Sequence, residues 1–302
     1  MNGGDGGTAA STATATATVP NIVHLVFGLR PQVEPFHLLH YLCVESCRRR
    51  LRPERIFLHY RHLPWGVYWD LARPHLELHE VDLVPEVSAV PASASVPDEY
   101  RYAHHADFVR LDALIEHGGI YADIDTLFLA APPASLFQAS FAIGREPPVR
   151  DEVTGETRPS LCNALMLAAP GSPFAVAWRA QMAEHMNGTW SNHSGFLAQR
   201  LCDAMPAEVV VVPQSEFLPY PPSRDGLAAL FERDEPAPAA SSIHLWEHLW
   251  RSPARRDFSD VHAGTFTEGY IRSTDTTFNR LARDLLPDLE LELELDISRA
   301  PR

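Results

Sequence analysis

Short β-rich runs alternate with longer stretches of helical period along most of this chain. That alternation limits the fold more than any other feature. NIVHLVFG (residues 21–28), RIFLHYR (55–61), LELHEVDLV (76–84), FAIGRE (141–146), LCNALMLAA (161–169), EVVVVP (208–213) and SIHLW (242–246) read as strands. Residues 36–51, about 98–117, 173–187 and 194–205 read as helices. Such an order predicts an α/β fold with a mostly parallel sheet flanked by helices. In such sheets ligands sit beyond the carboxyl ends of the strands. The low-complexity Gly/Ala/Thr run over residues 1–19 predicts a disordered tail, and the Leu/Glu alternation over 287–302 an acidic tail or a short edge strand. One domain is expected between them, over 20–286.

Composition narrows the functional classes. The formal net charge is −14, so a nucleic-acid partner is not expected, and a phosphate ligand would need a metal or a local arginine. All 25 basic residues are arginine, which reads as the coding bias of a GC-rich, bacterial genome. Four cysteines, at 43, 47, 162 and 202, fit no zinc spacing, which predicts a reducing compartment. No signal-peptide pattern and no apolar run of membrane-spanning length is found. A cytoplasmic protein, or one peripheral at a membrane, is therefore expected.

The segment HGGIYADIDTLF (117–128) carries two carboxylates one residue apart. On a strand, Tyr121, Asp123 and Asp125 share one face, and Ile120, Ala122 and Ile124 the other. Two like charges so close favour protonation of one of them or capture of a divalent cation with hard oxygen ligands. The preceding stretch, DEYRYAHHADFVRLDALIEHGG, sharpens the picture. At helical spacing Arg101, His105, Asp112 and Glu116 form the solvated side, with Ala103, Asp107, Arg110 and Leu114 nearly opposite. Asp107 and Arg110 are three apart, close enough to pair on the buried face. There they either fix helix register as an internal ion pair or look into a polar cleft that binds hydroxyls. The Gly118-Gly119 stop returns the chain at once to Asp123 and Asp125, so four charged groups converge.

The combination Asp107-x-x-Arg110, Gly118-Gly119-Ile120-Tyr121 and Asp123-x-Asp125 resembles the sugar-binding D-x-D region of retaining GT-A glycosyltransferases, above all family 32. The large clostridial glucosylating toxins share the spacing. VPNIVHLVFG (19–28), NALMLAAPGSPF (163–174) and SSIHLWEHLW (241–250) extend the resemblance over roughly residues 20–250. It implies a GT-A, Rossmann-like fold and transfer of a hexose, with retention, from a nucleotide sugar to an acceptor hydroxyl. A UDP-hexose is favoured and GDP-mannose is second; the acceptor is a small molecule, lipid or glycan. It further implies Mn²⁺ or Mg²⁺ on Asp125, with Asp123 and His244 as further ligands. Asp107, Arg110, Tyr121, Asp123 and Asn163 would face the donor sugar. His24, Val26, Phe27 and Gly28 would wall the base, and Trp246 and Trp250 would cover the donor or serve as plain core aromatics. His104, His105 and His193 receive no role, and His104 and His105 read as lying on the helix flank rather than at a site. Where the family carries T-G-P, this chain reads SNHSGF (191–196). A nucleotide-sugar-binding but inactive partner subunit, a nucleotide-sugar hydrolase and a purely structural protein are the competing classes.

Overall fold

The computed structural model describes residues 18–90, 101–252 and 258–287. Most of residues 1–19, the start of the helix expected from residue 98, and nearly all of 287–302 lie outside them. The described residues form eleven strands: β1 (Ile22–Val26), β2 (Arg55–Tyr60), β3 (Glu77–Glu80), β4 (Gly119–Ala122), β5 (Thr126–Phe128), β6 (Phe141–Arg145), β7 (Val149–Arg150), β8 (Thr157–Arg158), β9 (Leu161–Ala168), β10 (Val210–Val212) and β11 (Ser242–His244). The α-helices are α1 (Leu38–Ser46), α2 (Val67–Ala72), α3 (Pro85–Ser88), α4 (Arg101–His117), α5 (Pro173–His185), α6 (Gly195–Ala204), α7 (Gln214–Phe217), α8 (Arg224–Phe231), α9 (Glu268–Ser273) and α10 (Thr277–Ala282).

Seven strands form the central sheet in the order β10-β6-β9-β4-β1-β2-β3. Every neighbouring pair is parallel except those made by β9, which runs antiparallel to both β4 and β6. The expected mixed, mostly parallel sheet is thus observed. Apart from the edge strand β3, with its exposed Glu77 and Glu80, its strands are mostly apolar because both faces are covered. Val23, Leu25, Ile120 and Leu167 belong to the core under α1 and α8, whereas Val26, Tyr121, Ile143 and Met166 belong to the core under α4, α5 and α6. Alternate residues of one strand therefore serve different cores, as period 2 requires.

Two details depart from expectation. Val19 does not belong to a loose tail: it is buried, and its N–H donates to Phe137 O at 2.8 Å. The helix expected over 36–51 ends at Ser46 and widens into a π-turn over Cys47–Leu51, closed by Arg52 in the left-handed region at φ 49°. Short helices α2, α3, α7, α9 and α10 carry too few turns to show a helical period.

Candidate active site

The reversed direction of β9 creates the site. It brings the beginning of β9 to the same sheet edge as the carboxyl ends of β1, β4 and β6. A cavity of about 1620 Å³ opens along that edge.

The two D-x-D carboxylates reach it by a turn rather than by strand alternation. β4 stops at Ala122, although Asp123 still donates its N–H to Ala164 O of β9 at 2.8 Å. The chain then turns, closed by the Thr126 N–H to Asp123 O at 2.9 Å, and enters β5. β5 pairs with β11 outside the central sheet, with Thr126 opposite His244. This pairing delivers an imidazole from 119 residues away. His244 Nε2 lies 3.1 Å from Asp125 Oδ1 and 3.6 Å from Asp123 Oδ2. Asp123, Asp125 and His244 each offer an atom within 4.8 Å of the others, so the expected trio is assembled. The Glu247 N–H donates to Asp125 Oδ2 at 2.9 Å, and Trp246 between them sits in the left-handed region at φ 54°, a conformation that costs a bulky residue energy and is held here by its surroundings.

The electrostatics of the trio are unequal. Burial pushes the Asp123 carboxyl up, and the nearby Asp125 charge adds to this; Arg110 and His244 only partly offset them. Burial also acts against Asp125, but the His244 imidazole, the Glu247 N–H and the nearby His248 together outweigh it and hold that carboxyl well below its usual range. His244 is itself raised: burial opposes its charge, and Asp125 with Asp123 more than compensates. One carboxylate is thus satisfied by the imidazole and the other is left short of positive charge. Two carboxylates and an imidazole suit Mn²⁺ or Mg²⁺, and a cation would supply the missing charge.

Asp107 and Arg110 stand beside this trio, on α4. Both are buried, as the helical spacing predicted. The Arg110 guanidinium lies 3.3 Å from Asp107 Oδ1 and 3.3 Å from Asp123 Oδ1 and donates to Asn163 O at 2.8 Å. It also stacks over the Tyr121 ring, 4.6 Å from its centroid. Tyr121 donates its hydroxyl to Asp123 Oδ1 at 2.6 Å. Asn163, near the start of β9, donates from Nδ2 to Asp107 Oδ1 at 2.7 Å. Helix and strand are joined by Gly118 and Gly119 at φ 64° and 104°, where a Cβ on Gly119 would stand 2.6 Å from Ile22 Cγ1.

Val26, Phe27 and Gly28 line the cavity at the end of β1, and so does Trp246. His24 does not reach it. It is fully buried two residues earlier, with Nε2 2.9 Å from Gly118 O and Nδ1 3.0 Å from His59 Nε2. Trp250 is a core residue packed on Phe231 and Phe266, whereas Trp246 sits edge-on to His244 and donates its indole N–H to Tyr220 O at 2.8 Å. His105, placed on the wet side by helical spacing, is buried because its Nδ1 accepts the Val84 N–H at 3.0 Å. His104 is also buried, near Asp107 rather than on a flank.

The residues at the site to which sequence reasoning gave no role are His193, Trp190 and Glu247. His193 Nε2 lies 2.9 Å from Asp107 Oδ2. Trp190 stacks on His248 at 5.1 Å, and both rings line the cavity. Glu247 faces His40 at 2.8 Å and also pairs with Arg251, which hold its carboxyl down at about 2 despite burial. Only the His193 segment could have been flagged, because it replaces the family's T-G-P.

Residues 81–142, which hold α4, both glycines and the D-x-D turn, match the family described as glycosyltransferase sugar-binding region containing DXD motif. The chain is 30% identical over 275 residues, 89% of its own length and 71% of the relative's, to glucan organizing enzyme 1 of Cryptococcus neoformans var. grubii. The chain therefore belongs to the family of DXD-containing glycosyltransferases. Among solved structures it is similar to the galactosyltransferase LgtC, with 13% identity, coverage of 90% of this chain and 99% of that one, and a TM-score of 0.47. It is also similar to the PaToxG glycosyltransferase, with 14% identity, coverage of 63% and 71%, and a TM-score of 0.39. Among the described residues no helix is long and apolar enough to cross a membrane.

Proposed function

We propose that this chain is a GT-A type, metal-dependent hexosyltransferase, retaining the anomeric configuration. A UDP-hexose is the favoured donor, with GDP-mannose second; a small molecule, lipid or glycan is the acceptor. The observation that carries the reading is the convergence, on one cavity edge, of the Asp123–Asp125–His244 trio with the Asp107–Arg110 pair. A structural ion-pair network needs no such cavity, and a trio of this kind needs no neighbouring hydroxyl-binding pair.

Asp125, Asp123 and His244 would hold the Mn²⁺ or Mg²⁺, which when bound neutralises the leaving diphosphate. Asp107 accepts from a hexose hydroxyl, and Arg110 donates from the guanidinium N–H bonds its protein partners leave over. Arg110 also fixes Asp107 and Asp123 relative to each other, because one guanidinium edge faces both. Tyr121 and Asn163 orient these carboxylates through their hydrogen bonds. Val26, Phe27 and Gly28 form the wall against which the base lies, and Trp246 closes the side next to His244. The cavity exceeds the roughly 300–1,000 Å³ of common ligand sites, which leaves room for an acceptor beside the donor.

The test is a donor panel of UDP-glucose, UDP-galactose and GDP-mannose, incubated with Mn²⁺ and simple glycoside acceptors. Proton NMR of the product reports the anomer. Transfer that needs metal and yields the donor's anomeric configuration supports the reading. Release of free hexose with water as the sole acceptor across all acceptors would replace it with a hydrolase.

A further inference from the structure

His193 comes from the segment in which this chain departs from its family, and the structure holds it firmly. Its backbone carbonyl accepts the Trp178 indole N–H at 3.0 Å. Asn192 Nδ2 donates to His185 O at 2.7 Å, and Ser194 Oγ to Trp190 O at 3.0 Å. The ring is fully buried, stacked on Phe108 and edge-on to His104. Its Nδ1 has no partner among the described residues. A bare nitrogen there is cheaper than a buried unpaired N–H, so the proton sits on Nε2 and is donated to Asp107.

The consequence lies in the acceptor count of Asp107. A carboxylate offers about four acceptor sites, two on each oxygen. Asn163 donates to Oδ1, and the Arg110 guanidinium stands against the same oxygen at 3.3 Å, which leaves no room there for a further donor. His193 takes one on Oδ2. His104 Nδ1, at 3.9 Å from Oδ2, is too far for a direct bond. One site remains. We propose that His193 is a specificity-determining positioning residue: by occupying one face of Asp107 Oδ2 it leaves a single acceptor, which reads one hydroxyl of the transferred hexose. This rests on the reading above in which Asp107 faces the donor sugar. His104, Asp107 and His193 could also hold a metal ion on distance alone. The Arg110 charge beside Asp107 and the unpartnered outer nitrogens of both rings, where ligating histidines need an acceptor, weigh against that.

The experiment compares nucleotide and nucleotide-sugar binding by calorimetry in Mn²⁺, using UDP, GDP, UDP-glucose, UDP-galactose and GDP-mannose. In His193→Ala the affinity for the bare nucleotide stays within about twofold. The additional affinity of the preferred sugar nucleotide falls about tenfold or more, the range for a lost hydrogen bond to a charged group, and discrimination between hexose epimers narrows. His193→Gln, which keeps an N–H donor at similar reach, restores most of it. If the alanine variant does not fold, His193→Leu fills the volume without a donor. Asp107→Asn separates the two levels. If it leaves the sugar's additional affinity intact, the donor-site reading itself fails. If it removes that affinity but His193→Ala does not, the positioning role alone is overturned. A fall in Mn²⁺ or Zn²⁺ bound per chain in His193→Ala would overturn it in favour of a second metal site.

Discussion

His24 and His59 predict a specific loss of stability in mild acid that is separable from function. His24 Nε2 faces Gly118 O, so that nitrogen must carry its proton. His24 Nδ1 is then a bare acceptor, and His59 Nε2 donates to it at 3.0 Å. The pair is satisfied only while both rings are neutral, and Phe57 and the neighbouring His79 and His117 rings close it off. Burial is the main cause that lowers His24 from 6.5 to about 4 and His59 to about 3. The unfolded chain therefore binds more protons than the folded one below pH 6.5, and stability falls as pH falls from there toward 4. Each ring costs about 1.4 kcal/mol per pH unit over that window, or about 2 kcal/mol between pH 6.5 and 5. Because the two rings share one hydrogen bond, the pair is worth about 2–4 kcal/mol. Urea denaturation at pH 7 and pH 5 measures this. The double variant His24→Asn/His59→Asn should lose the pair's share of that difference, about 2–4 kcal/mol, and keep the share of His37 and His105, which burial also lowers to about 4, while keeping nucleotide binding. An unchanged pH slope in the variant would refute the argument, and lost nucleotide binding would return His24 to the base wall.

Further outcomes follow from the same geometry. Arg110→Met leaves Asp107 and Asp123 buried without their shared cation and should cost about 3–5 kcal/mol in urea denaturation. Excess Mn²⁺ should recover part of that loss, because Asp123 belongs to the proposed metal trio. Gly119→Ala combines a backbone at φ 104° with a Cβ 2.6 Å from Ile22 Cγ1. It should cost about 2–5 kcal/mol, read as a lowered thermal midpoint. Wild type should gain thermal stability on addition of Mn²⁺ with the nucleotide that binds, as any ligand selective for the folded state requires.

The legible part of this protein is the part built from local pattern. The central strands show as apolar runs because a sheet covered on both faces needs apolar side chains on both. Asp107 and Arg110 were legible as buried because four-residue spacing places Leu114 on their side of α4. Asp123 and Asp125 illustrate the limit: their convergence was legible, but its cause is a turn into β5, a three-residue strand too short to show a period. His24 was placed at the site by its strand, yet the cleft begins two residues further on, beyond the sheet edge. His193 could not be placed from sequence, since its partner is 86 residues away and the loop between α5 and α6 has no repeating pattern. The union of His244 with the D-x-D turn depends on the β5–β11 pairing, which residue types alone do not specify.

Asp123, Asp125 and His244 are proposed to hold a metal-dependent nucleotide site. The most direct test of this is calorimetric titration of UDP and GDP into wild type and Asp125→Asn, with Mn²⁺ and with EDTA. The account predicts that one nucleotide binds wild type only with Mn²⁺, and that Asp125→Asn abolishes this binding with an unchanged circular-dichroism spectrum. Equal binding in EDTA, or undiminished Mn²⁺-dependent binding by a folded Asp125→Asn, would contradict it.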